Sequence, residues 1–239
     1  MSTLIVQRDG PLTRLTLNRP DKANALDAAL VEALFGAVTI AHNDGTRLLV
    51  LDANGKNFSA GFDFGDYETQ SEGDLLQRFV RIEQLLQAVY HAPYTTLAFA
   101  QGRNFGAGAD LFLAASLRVC TADSSFRMPG LRFGLQLGTR RLAARIGDEA
   151  ARALLADSLV IDAEEALDLG FASELVKATD WAGLAGDVLQ SALLLSPEAA
   201  ARLHAATLRD TRALDMADLV ASAAAPGIKA RIAQFREKA

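Results

Sequence analysis

The 239-residue chain holds one cysteine, Cys120, three histidines and a single tryptophan. One thiol closes no intramolecular disulfide and offers no thiolate set for a metal, which fits a reducing compartment. His42, His91 and His204 are far apart and include no His-x-x-x-His pair of the kind that holds zinc, so no metal site is expected. No run of about 20 apolar residues occurs, and Met1-Ser2-Thr3 does not begin a charged segment followed by a long apolar one. No membrane role is expected, and the protein reads as cytoplasmic. Basic residues are short as well: 24 Lys and Arg face 29 Asp and Glu, for a net charge of −5. That balance leaves no positive excess for a nucleic-acid backbone. What the chain does have is length and apolar content, half of its residues, enough for one large domain with a full core and room for a smaller appendage.

Strand and helix signals alternate through the first two thirds. Leu4 to Arg8 and Leu15 to Asn18 flank an Asp9-Gly10-Pro11 turn and read as a hairpin. From a cap at Asp27, Leu30, Val31, Leu34, Phe35, Val38 and Ala41 recur at helical spacing until Asn43-Asp44-Gly45. Leu48 to Leu51 is a continuous apolar run, as in a strand covered on both faces. A second helix is expected from about Ser71 to Tyr90, strands at Thr95 to Ala100 and Leu117 to Thr121, and a short helix between them from Ala107 to Ala115. Such alternation predicts an α/β domain with right-handed crossovers. Asp162 to Glu165 has the pattern of a capping box, Gly170 stands at a helix stop, and Phe171 to Val176 is the last strand candidate. Beyond about Asp180 the patterns are all helical, including a Ser196-Pro197 start. The chain therefore divides into a core, 1–179, and a helical region, 180–239, that packs on its own core or on a neighbour.

Two chemical templates fail on inspection. Gly106-Ala-Gly108-Ala-Asp-Leu111 opens like a dinucleotide-binding loop but has Leu111 in place of the third glycine. Gly55 to Gly61 resembles a nucleophile elbow, yet Asn57 stands two before Ser59 where glycine is required. Two small-residue segments remain, Phe58-Ser59-Ala60-Gly61 and Gly102 to Gly108, each following a strand candidate. Both suit tight turns. Both also suit close approach of backbone to a ligand, and the second opens a helix, whose first amides are unpaired donors. Two such amides converging on one point make an oxyanion hole, worth roughly 3–4 kcal/mol of transition-state stabilisation per donor.

At Asn18 to Leu26, Phe58 to Asp63, Gly102 to Leu111 and Phe126 to Pro129, the sequence resembles the crotonase (enoyl-CoA hydratase/isomerase) superfamily in motif order and spacing. The resemblance runs from about Leu4 to Val176, and Gly227 to Lys238 is similar to the family's last helix. It implies a spiral of ββα turns and a helical C-terminal region used for oligomerisation, as a homotrimer or hexamer. It also implies coenzyme A thioesters as substrates, the coenzyme being part of the substrate and no separate cofactor being needed. The hole amides map onto Ala60 and Ala107. Lys22, Ala23, Ala60, Asp63 and Phe64 become expected neighbours of the coenzyme, with Gly106, Pro129 and Gly130 as further substrate-binding residues. Lys229 is a further candidate for the coenzyme phosphates.

The resemblance breaks at one catalytic position. Hydratases of the family place two glutamates about the substrate. The first maps onto Asp110, one methylene shorter, and the second onto Gly130, which can neither hold nor deliver a proton. Water addition shared between two carboxylates is thereby compromised. The stretch Gly134 to Thr139 is shorter than usual and acid-free, and Arg127, Arg132, Gln136, Asp66, Tyr67 and Glu68 are the nearby groups that could compensate. Asp110 could also simply meet the helix dipole. The expectation is an acyl-CoA enzyme of the enoyl-CoA hydratase/isomerase type that stabilises a thioester enolate in a two-amide hole. A thioester hydrolase or decarboxylase, and an acyl-CoA-binding protein without turnover, remain alternatives.

Overall fold

A computed structural model describes residues 2–238 of the chain. Its hairpin, β1 (Leu4–Asp9) and β2 (Leu12–Leu17), starts a six-stranded sheet. The sheet continues through β3 (Leu48–Ala53), β4 (Thr95–Ala100), β6 (Leu117–Cys120) and β9 (Glu174–Leu175), all parallel after the first pair. A second sheet joins three short strands, β5 (Arg103–Phe105), β7 (Ser125–Arg127) and β8 (Val160–Asp162). The last strand is shorter than the Phe171 to Val176 run suggests, because Phe171 and Ala172 turn into the core before pairing begins at Glu174.

The apolar run in β3 is buried on both faces. Leu49 and Leu51 face the main core, whereas Leu48 and Val50 pack with Leu97 and Phe99 beneath α7 (Trp181–Leu193). Trp181 stacks on Phe99 with ring centroids 4.7 Å apart. On the other side, α1 (Ala28–Ala41) starts at Asp27, whose carboxylate accepts from the Leu30 amide at 2.8 Å. The long α2 (Glu72–Tyr90) starts with a capping box between Ser71 and Asp74. α3 (Ala107–Ala114) is buried along its whole length, with Phe112 in a ring stack with Phe126 and Phe171.

The chain then forms α4 (Thr139–Ile146), α5 (Asp148–Asp157) and α6 (Ala163–Asp168), the last capped by Asp162 and Glu165. The C-terminal helices are α7, α8 (Pro197–Thr207), α9 (Arg212–Ala224) and α10 (Ile228–Glu237). Leu219 and Ala223 of α9 and Ile228 and Ile232 of α10 belong to the same apolar core as α2. Two elements of the C-terminal region thus close over the core of their own chain. No helix among the described residues is long and apolar enough to cross a membrane.

Candidate active site

Both small-residue segments leave the carboxyl ends of adjacent parallel strands, β3 and β4, where open α/β sheets place their ligands. They are stitched to each other: the Phe58 amide donates to Gln101 O at 2.9 Å and the Phe105 amide to Ser59 O at 3.1 Å. Gly61 lies at the crossing with φ of 86°, and a Cβ there would strike the Phe105 carbonyl and come within 3.1 Å of the Ala107 nitrogen. Glycine is what lets the two backbones meet. The residue after Gly61 is Phe62, so Phe62 and Ala107 face one small region.

Which amides point into that region follows from the pairing. Leu26 N–H donates to Gly61 O at 2.7 Å and Asp63 N–H donates to Leu26 O at 3.2 Å, a parallel bridge that brackets Phe62. The Phe62 N–H is turned to the opposite side, towards the cavity, and has no acceptor among the described residues. The Ala107 N–H is also unclaimed, as the first amide of α3. Ala60 behaves differently. Its N–H donates to Ala23 O at 2.9 Å, which corrects the expectation that Ala60 supplies a hole amide: the free donor lies two residues further on.

Beyond these amides is a cavity of about 140 Å³. Ala60, Phe64, Gly106, Ala107, Asp110, Pro129 and Gly130 line it as expected, together with Phe62, Phe79, Phe133 and Phe235. Lys22, Ala23 and Asp63 lie outside it. The Asp63 carboxylate is engaged with Arg19 at 2.9 Å and with the Gly65 amide at 2.9 Å. Burial works to raise its pKa, but the Gly65 amide and Arg19 outweigh that and hold the carboxyl below its ordinary value. The Lys229 ammonium donates to Glu68 O at 2.6 Å. Arg127, at 3.1 Å from Ser158 O, and Gln136, at 3.2 Å from Asp218, are held by partners outside the cavity wall.

Asp110 is the one ionisable side chain on that wall. It sits on the first turn of α3, three residues after Ala107, is 3% exposed, and its Oδ1 has no hydrogen-bond partner among the described residues. Gly138, at φ of 66°, makes room for it, since a Cβ there would overlap the carboxylate. Burial pushes the Asp110 carboxyl well above the usual range; Arg141 pulls it down and Glu83 pushes it up. Arg141 on α4 and Glu83 on α2 are a buried two-pronged ion pair, with contacts of 2.9 and 2.6 Å. Sequence reasoning missed this pair. The available signal was only a charged residue on the otherwise apolar face of each helix.

Gly130, on the same cavity wall as Asp110, has no room for a side chain. The Leu135 amide donates to Gly130 O at 2.9 Å, and a Cβ at Gly130 would lie 2.9 Å from the Leu135 carbonyl oxygen. The backbone at Leu135 occupies the space a side chain would need. No cluster of three or more His, Cys, Asp or Glu among the described residues could hold a metal ion. Cys120 is buried, which pushes its thiol up to about 12 and removes it as a nucleophile.

Comparison with known proteins places the chain in a family. A sequence model described as enoyl-CoA hydratase/isomerase matches residues 8–224. The probable enoyl-CoA hydratase echA6 of Mycobacterium tuberculosis is 32% identical over 194 residues, covering 80% of this chain and 77% of the relative. A probable enoyl-CoA hydratase of Rhodobacter capsulatus is 35% identical over 175 residues, 71% of this chain and 67% of the relative. A crystal structure from Bordetella parapertussis, provisionally assigned as an enoyl-CoA hydratase/isomerase, superposes with a TM-score of 0.97 at 48% identity and covers 98% of both chains.

Proposed function

The chain belongs to the enoyl-CoA hydratase/isomerase family, and from that premise we propose that it moves a proton on an acyl-CoA thioester with a single carboxyl group, Asp110. The thioester carbonyl oxygen accepts from the Phe62 and Ala107 amides, which stabilise the negative charge that develops there. The Asp110 carboxylate takes a proton from the carbon next to the thioester carbonyl. The electron pair of that C–H bond delocalises onto the carbonyl oxygen. In a 3-enoyl thioester the resulting dienolate takes the proton back from the Asp110 carboxylic acid at its γ-carbon, giving the 2-enoyl product. One group removes and returns the same proton, so no second acid and no water enter the balance.

The observation that carries this reading is the placement of one buried carboxyl group, with an unpartnered oxygen, on the same helical turn as the free Ala107 amide. The Leu135 carbonyl against Gly130 weighs against shared-acid hydration. Binding energy from the coenzyme, remote from the reacting carbons, orients the thioester. The homotrimer or hexamer that the family resemblance implies would find an apolar contact in Leu193, Leu194, Leu195 and Leu203 at the α7–α8 end, all exposed in the single chain. Conversion of 3-hexenoyl-CoA to the conjugated 2-hexenoyl thioester, followed by ultraviolet absorbance, tests the proposal. Turnover lost in Asp110→Asn supports it, and equal turnover in that variant removes Asp110 from the chemistry.

A further inference from the structure

The acyl side of the cavity is built from rings that hold one another. Phe235 of α10 packs on Phe133 with centroids 5.3 Å apart, Phe133 on Phe64 at 6.3 Å, Phe64 on Phe62 at 5.0 Å, and Phe62 stacks on Phe79 of α2 at 4.5 Å. All five rings line the cavity. The chain of rings thus runs from the C-terminal helix to α2 without a break; Phe133, Phe64 or Phe62 turning aside gives up contacts on both sides, and Phe235 turning aside gives up Phe133. Two of the rings are also pinned from outside: the Arg78 guanidinium lies 4.0 Å above Phe62, and Arg236 lies 5.9 Å above Phe64.

The cavity volume, about 140 Å³, is close to that of an apolar cavity of about 150 Å³ that accepts benzene. Only Asp110 offers a charge or a hydrogen bond from a side chain on this wall. A polar substituent on the acyl group would lose water and find no partner beyond that carboxyl. A long alkyl chain would meet the ring wall.

We infer that the enzyme selects compact apolar acyl groups of roughly six carbons, linear or a single phenyl ring, and that Phe235 and Phe133 set the upper limit. This rests on the acyl-CoA reading above and adds the class of acyl group. Phe235 is the residue that brings the C-terminal helix into substrate choice. Its helix is anchored separately by Ile228 and Ile232, so its ring can be removed without releasing α10.

Titration calorimetry with free coenzyme A and with butyryl-, hexanoyl-, dodecanoyl- and phenylacetyl-CoA tests the inference on the unmodified protein. Affinity is expected to rise from butyryl to hexanoyl, to be similar for phenylacetyl, and to fall at least tenfold for dodecanoyl. In Phe235→Ala the ratio of dodecanoyl to hexanoyl affinity should rise several-fold. Phe133→Ala provides the same comparison from the other side of the pair. Dodecanoyl-CoA binding as tightly as hexanoyl-CoA in the unmodified protein, or a penalty unchanged in both variants, overturns the size limit and leaves the acyl-CoA reading in place. Failure of every thioester to bind more tightly than coenzyme A overturns both.

Discussion

Arg141 grips Glu83 through two charge-assisted contacts of 2.9 and 2.6 Å, with both side chains buried behind the cavity's one acid. Asp215 lies 3.8 Å from the same guanidinium and is held in turn by Arg140 at 3.0 Å. The pair ties α2 to α4, and α4 begins beside the Asp110 carboxylate. Removing one partner strands the other charge in the core, a change that typically costs about 3–5 kcal/mol. Arg141→Met should therefore lower stability by an amount in that range, and joint replacement with Glu83→Leu should cost less than the two single changes together. Urea unfolding of the four proteins measures this.

The same pair tunes the acid. Arg141 lowers the Asp110 pKa and Glu83 raises it, against a background in which burial raises it strongly. An Asp110 that acts as a base works when ionised, so kcat/KM should rise with pH through a midpoint well above the ordinary carboxylate range. Arg141→Met should move that midpoint up and Glu83→Gln should move it down. A pH–rate profile on 3-hexenoyl-CoA reads both shifts, and a purely structural role for the pair would leave the midpoint in place.

Asp110 also links activity to stability. A carboxyl group whose folded-state pKa is raised favours folding in its neutral form. Its contribution is fully present below the unfolded pKa and is lost as pH rises through the folded value. Asp110→Asn should therefore raise the melting temperature relative to the unmodified protein at pH 8, with the difference fading towards pH 4. Turnover should fall by about 10²–10⁴. Thermal scans at the two pH values check the first statement.

Restoring the second acid should fail. In Gly130→Glu the new Cβ is forced against the Leu135 carbonyl, a backbone atom that cannot step aside like a flexible side chain. Overpacking of this kind costs about 1–3 kcal/mol. The variant is expected to melt lower and to gain no hydration of crotonyl-CoA. A stable variant with strong hydratase activity would show that the loop readily opens.

The Ala107 amide, proposed to bind the thioester oxygen, can be removed without removing a side chain that packs. Ala107 is the first residue of α3, a position where proline fits because its N–H has no helical acceptor, and Gly106 before it has no Cβ to clash. Ala107→Pro should fold with a melting temperature near that of the parent and lose about 10²–10³ in kcat.

Much of the scaffold could be read from the chain because its signals are local. The caps at Asp27, Ser71 and Asp162 each act over three residues, and the apolar run in β3 states its own double burial. The second sheet was not legible, since its strands, Arg103–Phe105, Ser125–Arg127 and Val160–Asp162, are three residues long and too short for a period. The site was legible in part. Asp110 and Ala107, which the family resemblance singles out, both line the cavity, but the choice of Phe62 over Ala60 depends on the bridge from Leu26, 36 residues upstream of Phe62, which decides the direction of each amide. Glu83 and Arg141, 58 residues apart, identify each other only once their helices pack.

The central claim is that one buried carboxyl group moves one proton between two carbons of an acyl-CoA thioester. It is tested most directly with 3-hexenoyl-CoA carrying deuterium at the carbon next to the carbonyl, with the 2-hexenoyl product examined by nuclear magnetic resonance. Part of the deuterium is expected to reappear at the γ-carbon, because Asp110 holds it away from water, and Asp110→Asn should form product at least about 10²-fold more slowly. Complete loss of the label to solvent, together with continued turnover in Asp110→Asn, would contradict it.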